Sequence, residues 1–534
     1  MNCSSYKILL IVVLSLLLTN CAKRGRPTGG KKDSIAPLLV SATPNHESIN
    51  FKAKKIKISF DEYIKLKDVN KQLVISPPLK NAPIITPVGT ASKFINIKIL
   101  DTLKENTTYS FNFGSSIVDN NEENKLEHFK YVVSTGTYID SLKIKGTILD
   151  AFNQKTDEHI SVMLYEINEQ YTDSIIYKEK PMYVSSTIDT TSNFELTNLK
   201  AGNYFVLAIK QPSNNYIYNV KQDKIGFLKD TISIPEDSVV NFTLFKEILP
   251  FKLSKPLEAS KGHILFGFQG KGDGLTLKLL DSTSADFNKA IAFERGKDTL
   301  NFWYTNSTKK DSLIFEVTNL NFKDTVTVKL RSSKQDSLQL SSTIKSTLEL
   351  RDTFSISSNI PITNVDTSKI TLIDKDSIAV KFSTEIDSYK NKIFINFKKK
   401  IKAEYNLQIL PNSITDIFEN TNDTLSYKFS TKTIESYGTI ILSVSNVKSP
   451  TIIEIITEKG EVIETKQITT NQTLSFIHLT PRKYIFRAIY DDNNNGVWDT
   501  GNFLQKKYPE KVVYFNKEID VTANFDYNEI FILE

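Results

Sequence analysis

The residues best able to do chemistry in this chain sit in one short run, Tyr490-Asp491-Asp492-Asn493-Asn494-Asn495-Gly496-Val497-Trp498-Asp499. Counted from Asp491, oxygen-bearing side chains recur at Asn493, Asn495 and Asp499. Gly496 falls where a sharp turn is needed, and Val497 offers a backbone carbonyl. A hard cation collects carboxylate, amide and carbonyl oxygens at such alternate positions, so the spacing predicts a Ca²⁺ loop. Asn502 stands where a bidentate Glu would complete the set. With two charged ligands only, the expected affinity is modest, about 10⁻⁴–10⁻³ M. A long hairpin turn needs the same residues, because Asn, Asp and Gly accept positive φ. Ion site and structural turn both stay open.

Other candidates carry less. Trp303-Tyr304 and Trp498 could offer flat aromatic faces to sugar rings. His46, His128, His159, His263 and His478 never fall at zinc-ligand spacing. Gly267, Gly270, Gly272 and Gly274 precede no helical pattern, so they read as a hairpin turn and not as a phosphate cradle. Asp61-Glu62 and Glu122-Glu123 pair carboxylates, but neighbours on a strand face opposite ways, which argues against an acid–base couple. No Gly-x-Ser-x-Gly elbow occurs. The expectation is a protein without enzymatic activity.

The elements that must position these residues are strands. Lys55-Ile56-Lys57-Ile58-Ser59-Phe60 puts Ile56, Ile58 and Phe60 on one face and the cations on the other, and Tyr109-Ser110-Phe111-Asn112-Phe113 alternates likewise. Such alternation predicts antiparallel sheets packed on one side, hence sandwiches. Two blocks recur along the chain. At an offset near 298, Ile58, Ser59, Ile64, Asp68, Lys71 and Ile75 are echoed by Ile356, Ser357, Ile362, Asp366, Lys369 and Ile373. Tyr109, Ser116 to Asp119 and Val133-Ser134-Thr135 are likewise echoed by Tyr405, Ser413 to Asp416 and Phe429-Ser430-Thr431. At an offset of 280, Leu199, Tyr204, Ala208 and Ile209 align with Leu479, Tyr484, Ala488 and Ile489 without gaps. The loop aligned with the Asp/Asn-rich run is Gln211-Pro212-Ser213-Asn214-Asn215-Tyr216, which has no carboxylate.

The first block resembles the bacterial Ig-like domain of S-layer and envelope proteins. Asp33-Ser34-Ile35-Ala36-Pro37, Thr43-Pro44, Ile58-Ser59-Phe60-Asp61-Glu62, Ile117-Val118-Asp119 and Ser134-Thr135 carry the likeness. In the second copy Ser357-Ser358 replaces the Ser-Phe pair. The other block, with its Leu-x-x-Gly-x-Tyr turn at Leu199 to Tyr204, resembles the prealbumin-like modules of carboxypeptidase regulatory domains. These resemblances imply an all-β tandem array of about five β-sandwich modules. The expected order is an Ig-like domain at 35–138, a prealbumin-like sandwich at 139–246 and an unassigned sandwich at 247–339. A divergent Ig-like domain at 340–433 and a second prealbumin-like sandwich at 434–534 follow. The array could extend away from its attachment or fold back on itself.

Before the array, residues 1–20 read as a signal peptide: Lys7 leads an apolar run from Ile8 to Leu18, too short to cross about 30 Å of hydrocarbon. Leu18-Thr19-Asn20-Cys21 resembles the lipobox of bacterial lipoproteins, with Asn20 where Gly, Ala or Ser is usual. The resemblance implies acylation of Cys21, and the bilayer as a partner. Cys3 is the one other cysteine among 534 residues, so the mature chain is expected to hold no disulfide. Lys23, Arg24, Arg26, Lys31 and Lys32 make residues 21–34 a basic tether. The acidic run that often follows the lipidated Cys in surface-exported lipoproteins of Bacteroidetes-type bacteria is missing, which favours the periplasmic face of the outer membrane. A net charge of +6 over the whole chain argues against nucleic acid. The leading expectation is a structural or docking module for another envelope protein. The alternative is a glycan-binding accessory lipoprotein using Trp303, Tyr304 or Trp498.

Overall fold

The computed structural model describes residues 33–187, 192–282, 287–294, 297–305 and 310–534. Cys21, most of the basic tether and the apolar run before it lie outside these residues. Strands dominate, and the helical segments described are short, at Val69–Gln72, Asp173–Tyr177, Thr367–Lys369 and Ile434–Ser436. The all-β expectation holds. The chain divides into two compact units, one of residues up to 142 with 197–200, the other of 143–196 with 201–534.

In the first unit the alternation at Lys55 to Phe60 does what its pattern requires: Ile56, Ile58 and Phe60 are buried, and Lys55 and Lys57 face solvent. These apolar residues share one core with Tyr109, Phe111, Tyr131 and Val133 of the facing sheet. One sheet runs Leu39–Thr43, Lys55–Leu66, Ser92–Lys98, Ile84–Thr86, and the other Val74–Ser76, Thr108–Asn112, Lys130–Ser134. A register shift between Ser59 and Ile64 bends the long strand, whose far half pairs with Ile117–Asp119.

The second unit contains a repeat of this plan. Leu340–Ser342, Phe354–Ser358, Lys392–Phe397 and Phe382–Asp387 form one sheet, and Ile370–Asp374, Glu404–Ile409 and Leu425–Ser430 another. Here the long strand is cut into Phe354–Ser358 and Ile362–Val365, because Pro361 has no N–H to give a ladder. Equivalent residues in the two copies make equivalent bonds. The Tyr109 hydroxyl accepts the Lys104 amide at 2.9 Å, and the Tyr405 hydroxyl accepts the Lys400 amide at 2.7 Å. Thr135 and Thr431 donate to the carbonyls of Lys104 and Lys400 at 2.7 and 2.6 Å. Buried Asp119 and Asp416 each accept amides of the turn that follows.

The second repeated block also shares one topology in its two copies. Gly438–Ser445 lies between antiparallel Gln472–Leu479 and parallel Asp526–Ile532. The facing sheet runs Val462–Ile468, Thr451–Thr457, Arg482–Tyr490, Val512–Tyr514. In the earlier copy Leu142–Asp150 lies between Asn193–Leu199 and parallel Val239–Leu244, facing Tyr183–Ser186, Ser161–Glu166, Gly202–Lys210 and Lys224–Phe227. Aligned Asn198 and His478 both take left-handed φ, 62° and 54°. Between the copies, His263–Gln269 and Thr299–Tyr304 face Ser312–Asn319 in another sandwich, where the Phe315 ring meets Phe266 and Phe302 edge-on at 5.1 and 4.9 Å.

Candidate functional site

The Asp/Asn-rich run leaves the end of Arg482–Tyr490 and carries the chain across to the earlier copy of the same topology. The Phe503 side chain is fully buried, edge-on to the Phe227 ring at 5.3 Å and 5.8 Å from the Phe205 ring. Its amide donates to Glu247 Oε1 at 2.7 Å, while Tyr218 donates its hydroxyl to Glu247 Oε2 at 2.6 Å. Burial, with that bond to a buried carboxylate adding, pushes the Tyr218 hydroxyl far above its ordinary pKa. Lys506 Nζ lies 4.5 Å from the Phe503 ring centre and pairs with Asp173 at 3.0 Å. Thr500 donates to the Lys246 carbonyl at 2.7 Å, and the Tyr514 hydroxyl to the Phe152 carbonyl at 2.7 Å. Gly501 is required by close approach, since a Cβ there would stand 2.7 Å from the Phe245 ring. The second unit therefore folds back on itself through this clamp.

The loop's own hydrogen bonds draw together Asp491, Asn493, Asn495 and Asp499 of the expected calcium set. Asp491 accepts the amides of Asn495 and Gly496 at 2.9 and 2.8 Å, which wraps the run into a tight loop. Asp499 Oδ2 accepts the side-chain amides of Asn493 and Asn495 at 2.6 and 2.8 Å, so these three side chains face one another. Val497 donates its amide to Asn495 Oδ1 at 2.9 Å. Lys271 pairs with Asp499 Oδ1 at 3.1 Å. Burial works to raise the Asp499 carboxyl, but the bonds from Asn493 and Lys271 and the lysine charge hold it below the usual range. Glu510 accepts the Asp492 and Asp499 amides, and burial, with the charges of Asp499 and Asp491 adding, pushes its carboxyl up. Among the described residues no group of three or more His, Cys, Asp or Glu side chains stands ready to hold a metal. The loop has two carboxylates with amide and carbonyl oxygens, but Asp491, Asn493 and Asn495 already accept loop amides and Asp499 is taken by the asparagine NH2 groups and Lys271, so a hard cation would have to displace those bonds.

The expected aromatic platform is corrected by burial. Trp303 is 3 % exposed and Tyr304 8 %. The strand Thr299–Tyr304 is covered on both faces, because Leu300, Phe302 and Tyr304 enter their own core while Trp303 packs with Ile360 and Ile417 of the next sandwich. Trp498 is clamped too: its ring lies 4.6 Å from that of Phe152, and its indole N–H donates to the Glu510 carbonyl at 3.0 Å.

Where Trp303 meets the next sandwich, a groove of about 850 Å³ opens between the 252–329 and 340–430 sandwiches. Its floor includes the His263 and Trp303 rings, stacked at 4.6 Å and 7°, with His263 Nε2 2.8 Å from Asn301 Oδ1. At the rim stand Phe293 and Tyr389, the latter 70 % exposed. The Tyr389 turn is set by Asp387, which accepts the amides of Tyr389 and Lys390 at 3.1 Å each. Sequence reasoning missed Tyr389, as it missed Glu247 and Phe503. For Phe503 the sequence holds no distinguishing signal, since apolar Leu504 beside it is exposed.

The described residues form a series of β-sandwich modules, the first of them with an Ig-like match. Residues 33–135 match the family model described as bacterial Ig-like domain. Solved structures that resemble the chain include surface layer protein SbsC, domains 1–6, at 9% identity and TM-score 0.15, covering 91% of this chain and 67% of that one. The Bacillus anthracis TIE protein is similar at 11% identity and TM-score 0.15, covering 95% and 76%. So is the Bacteroides ovatus mixed-linkage glucan utilization locus protein SGBP-B, solved with a mixed-linkage heptasaccharide, at 11% identity and TM-score 0.17, covering 72% and 91%. No curated protein matches the chain.

Proposed function

We infer that this chain is an envelope lipoprotein that holds a fixed docking surface at the outer membrane, on its periplasmic face, for another envelope protein. Acyl chains on Cys21 would supply the attachment, each buried CH₂ adding about 0.8 kcal/mol. The reading is non-enzymatic, in keeping with the bacterial Ig-like match at 33–135. The observation that carries it is the clamp at Phe503: sandwiches locked back on one another suit presentation of a rigid surface better than spanning a distance. Crosslinking in intact cells, followed by capture of the tagged chain, is expected to return one recurring envelope partner, lost in Phe503→Asp. No recurring partner would contradict docking. Palmitate labelling that survives Cys21→Ser would contradict the anchor.

A Ca²⁺ ion belongs to the same reading. Asp491, Asn493, Asn495, the Val497 carbonyl and Asp499 would hold it. Its charge would offset the carboxylates that crowd Glu510 and stiffen the loop leading into the clamp.

A further inference from the structure

We propose that the groove beneath Tyr389 binds a neutral oligosaccharide. At about 850 Å³ it lies within the range of small-molecule sites, roughly 300–1,000 Å³, and it is concave between two sandwiches. Its lining combines aromatic rings with the side-chain amides of Asn301 and Asn359, which are held in place by bonds to His263 and the Ala292 carbonyl and to the Gln339 amide and Ser337 carbonyl. C–H patches on a pyranose carry slight positive charge and sit against the negative face of an aromatic ring, while hydroxyls at the ring edge take hydrogen bonds. Tyr389 presents such a face in solvent, and the Asp387 cap holds the turn that carries it. The stacked His263 and Trp303 rings supply a rigid floor.

The charged groups of the lining are of both signs, Glu294 against Lys390 and Lys392, so no single-sign field is built for an ion. Of the charged groups in the lining, Lys390 is paired with Asp387 at 3.7 Å and Glu294 with Lys297, and Lys392 is a further cation. The remaining polar lining includes the amides of Asn301, Asn359 and Asn391. Asn391 Oδ1 has no hydrogen-bond partner among the described residues but is closed to solvent, so it would meet a sugar hydroxyl only if its side chain turned into the groove. The groove lies apart from the clamp, so the docking reading and the sugar site fail or stand separately.

The test is calorimetric titration of the chain from residue 33 onward, retaining both units, with cellohexaose, maltohexaose and chitohexaose as separate probes. At least one is expected to bind saturably and to perturb tryptophan emission through Trp303. Tyr389→Ala should weaken that binding by about tenfold or more, while Tyr389→Phe, which keeps the ring, retains it. Both variants should melt with the wild type, because the side chain is exposed. No saturable binding by any of the three sugars overturns the proposal, as does binding that Tyr389→Ala leaves unchanged.

Discussion

The backbone amide of Phe503 donates to the carboxylate of Glu247 at 2.7 Å across 256 residues of chain. That bond joins the loop after Arg482–Tyr490 to the segment just after Val239–Leu244, and the Phe503 ring fills the space beside it. Removing the ring creates a cavity in a packed aromatic cluster, so Phe503→Ala is expected to cost about 3–5 kcal/mol in urea unfolding. Neighbouring Leu504 is 62 % exposed, and its replacement by Ala should fall within about 0.5 kcal/mol of wild type. Equal effects at the two positions would mean that the ring is not in the clamp.

Gly501 is tied to the same contact. A methyl group there would stand 2.7 Å from both the Phe245 ring and the Lys507 carbonyl. Gly501→Ala is therefore expected to destabilise by about 1–3 kcal/mol through overpacking. Paired with Phe245→Leu it should cost less than the sum of the two changes, because the smaller side chain makes room. Additive costs in that double-mutant cycle would contradict the close approach.

Acid should loosen the pairing of Asp499 with Lys271. The Asp499 carboxyl is held below its ordinary pKa in the folded chain. Its stabilising contribution is thus complete above the unfolded value, about 4, and is lost as pH falls through the lower folded value. Below about pH 4 the melting temperature of wild type should fall more steeply than that of Asp499→Asn, which has no proton to take up at this position. Parallel curves would show that Asp499 contributes nothing by its charge.

Calcium is expected to raise the melting temperature at millimolar concentration, with the chelated chain lower. Asp491→Ala should abolish the shift. An unchanged melting temperature in saturating Ca²⁺ would leave Asp491 and Asp499 as turn residues, which their bonds to the loop amides allow.

Much of the fold is legible in local pattern. Period-two alternation at Lys55 to Phe60 gives the burial directly, and the paired Tyr109 and Tyr405 mark the same hydroxyl-to-backbone bond in two copies. What stays hidden depends on which modules touch. Trp303 reads as an exposed platform because nothing local shows that the far face of its strand meets Ile360 and Ile417. The Asp/Asn-rich run reads as a metal loop or a turn, whereas Gly501 and Trp498 also answer to Phe245 and Phe152, hundreds of residues earlier. Contacts of that range leave no periodicity in the sequence of either partner.

The most direct test of the closed arrangement is hydrogen exchange at the Phe503 amide, whose acceptor is Glu247. In wild type this amide should exchange slowly, as a buried and hydrogen-bonded group must. Glu247→Ala should release it to fast exchange while the amides of Arg482–Tyr490 stay protected. Fast exchange at Phe503 in the wild-type chain would contradict the clamp, and with it a fold-back of the second unit.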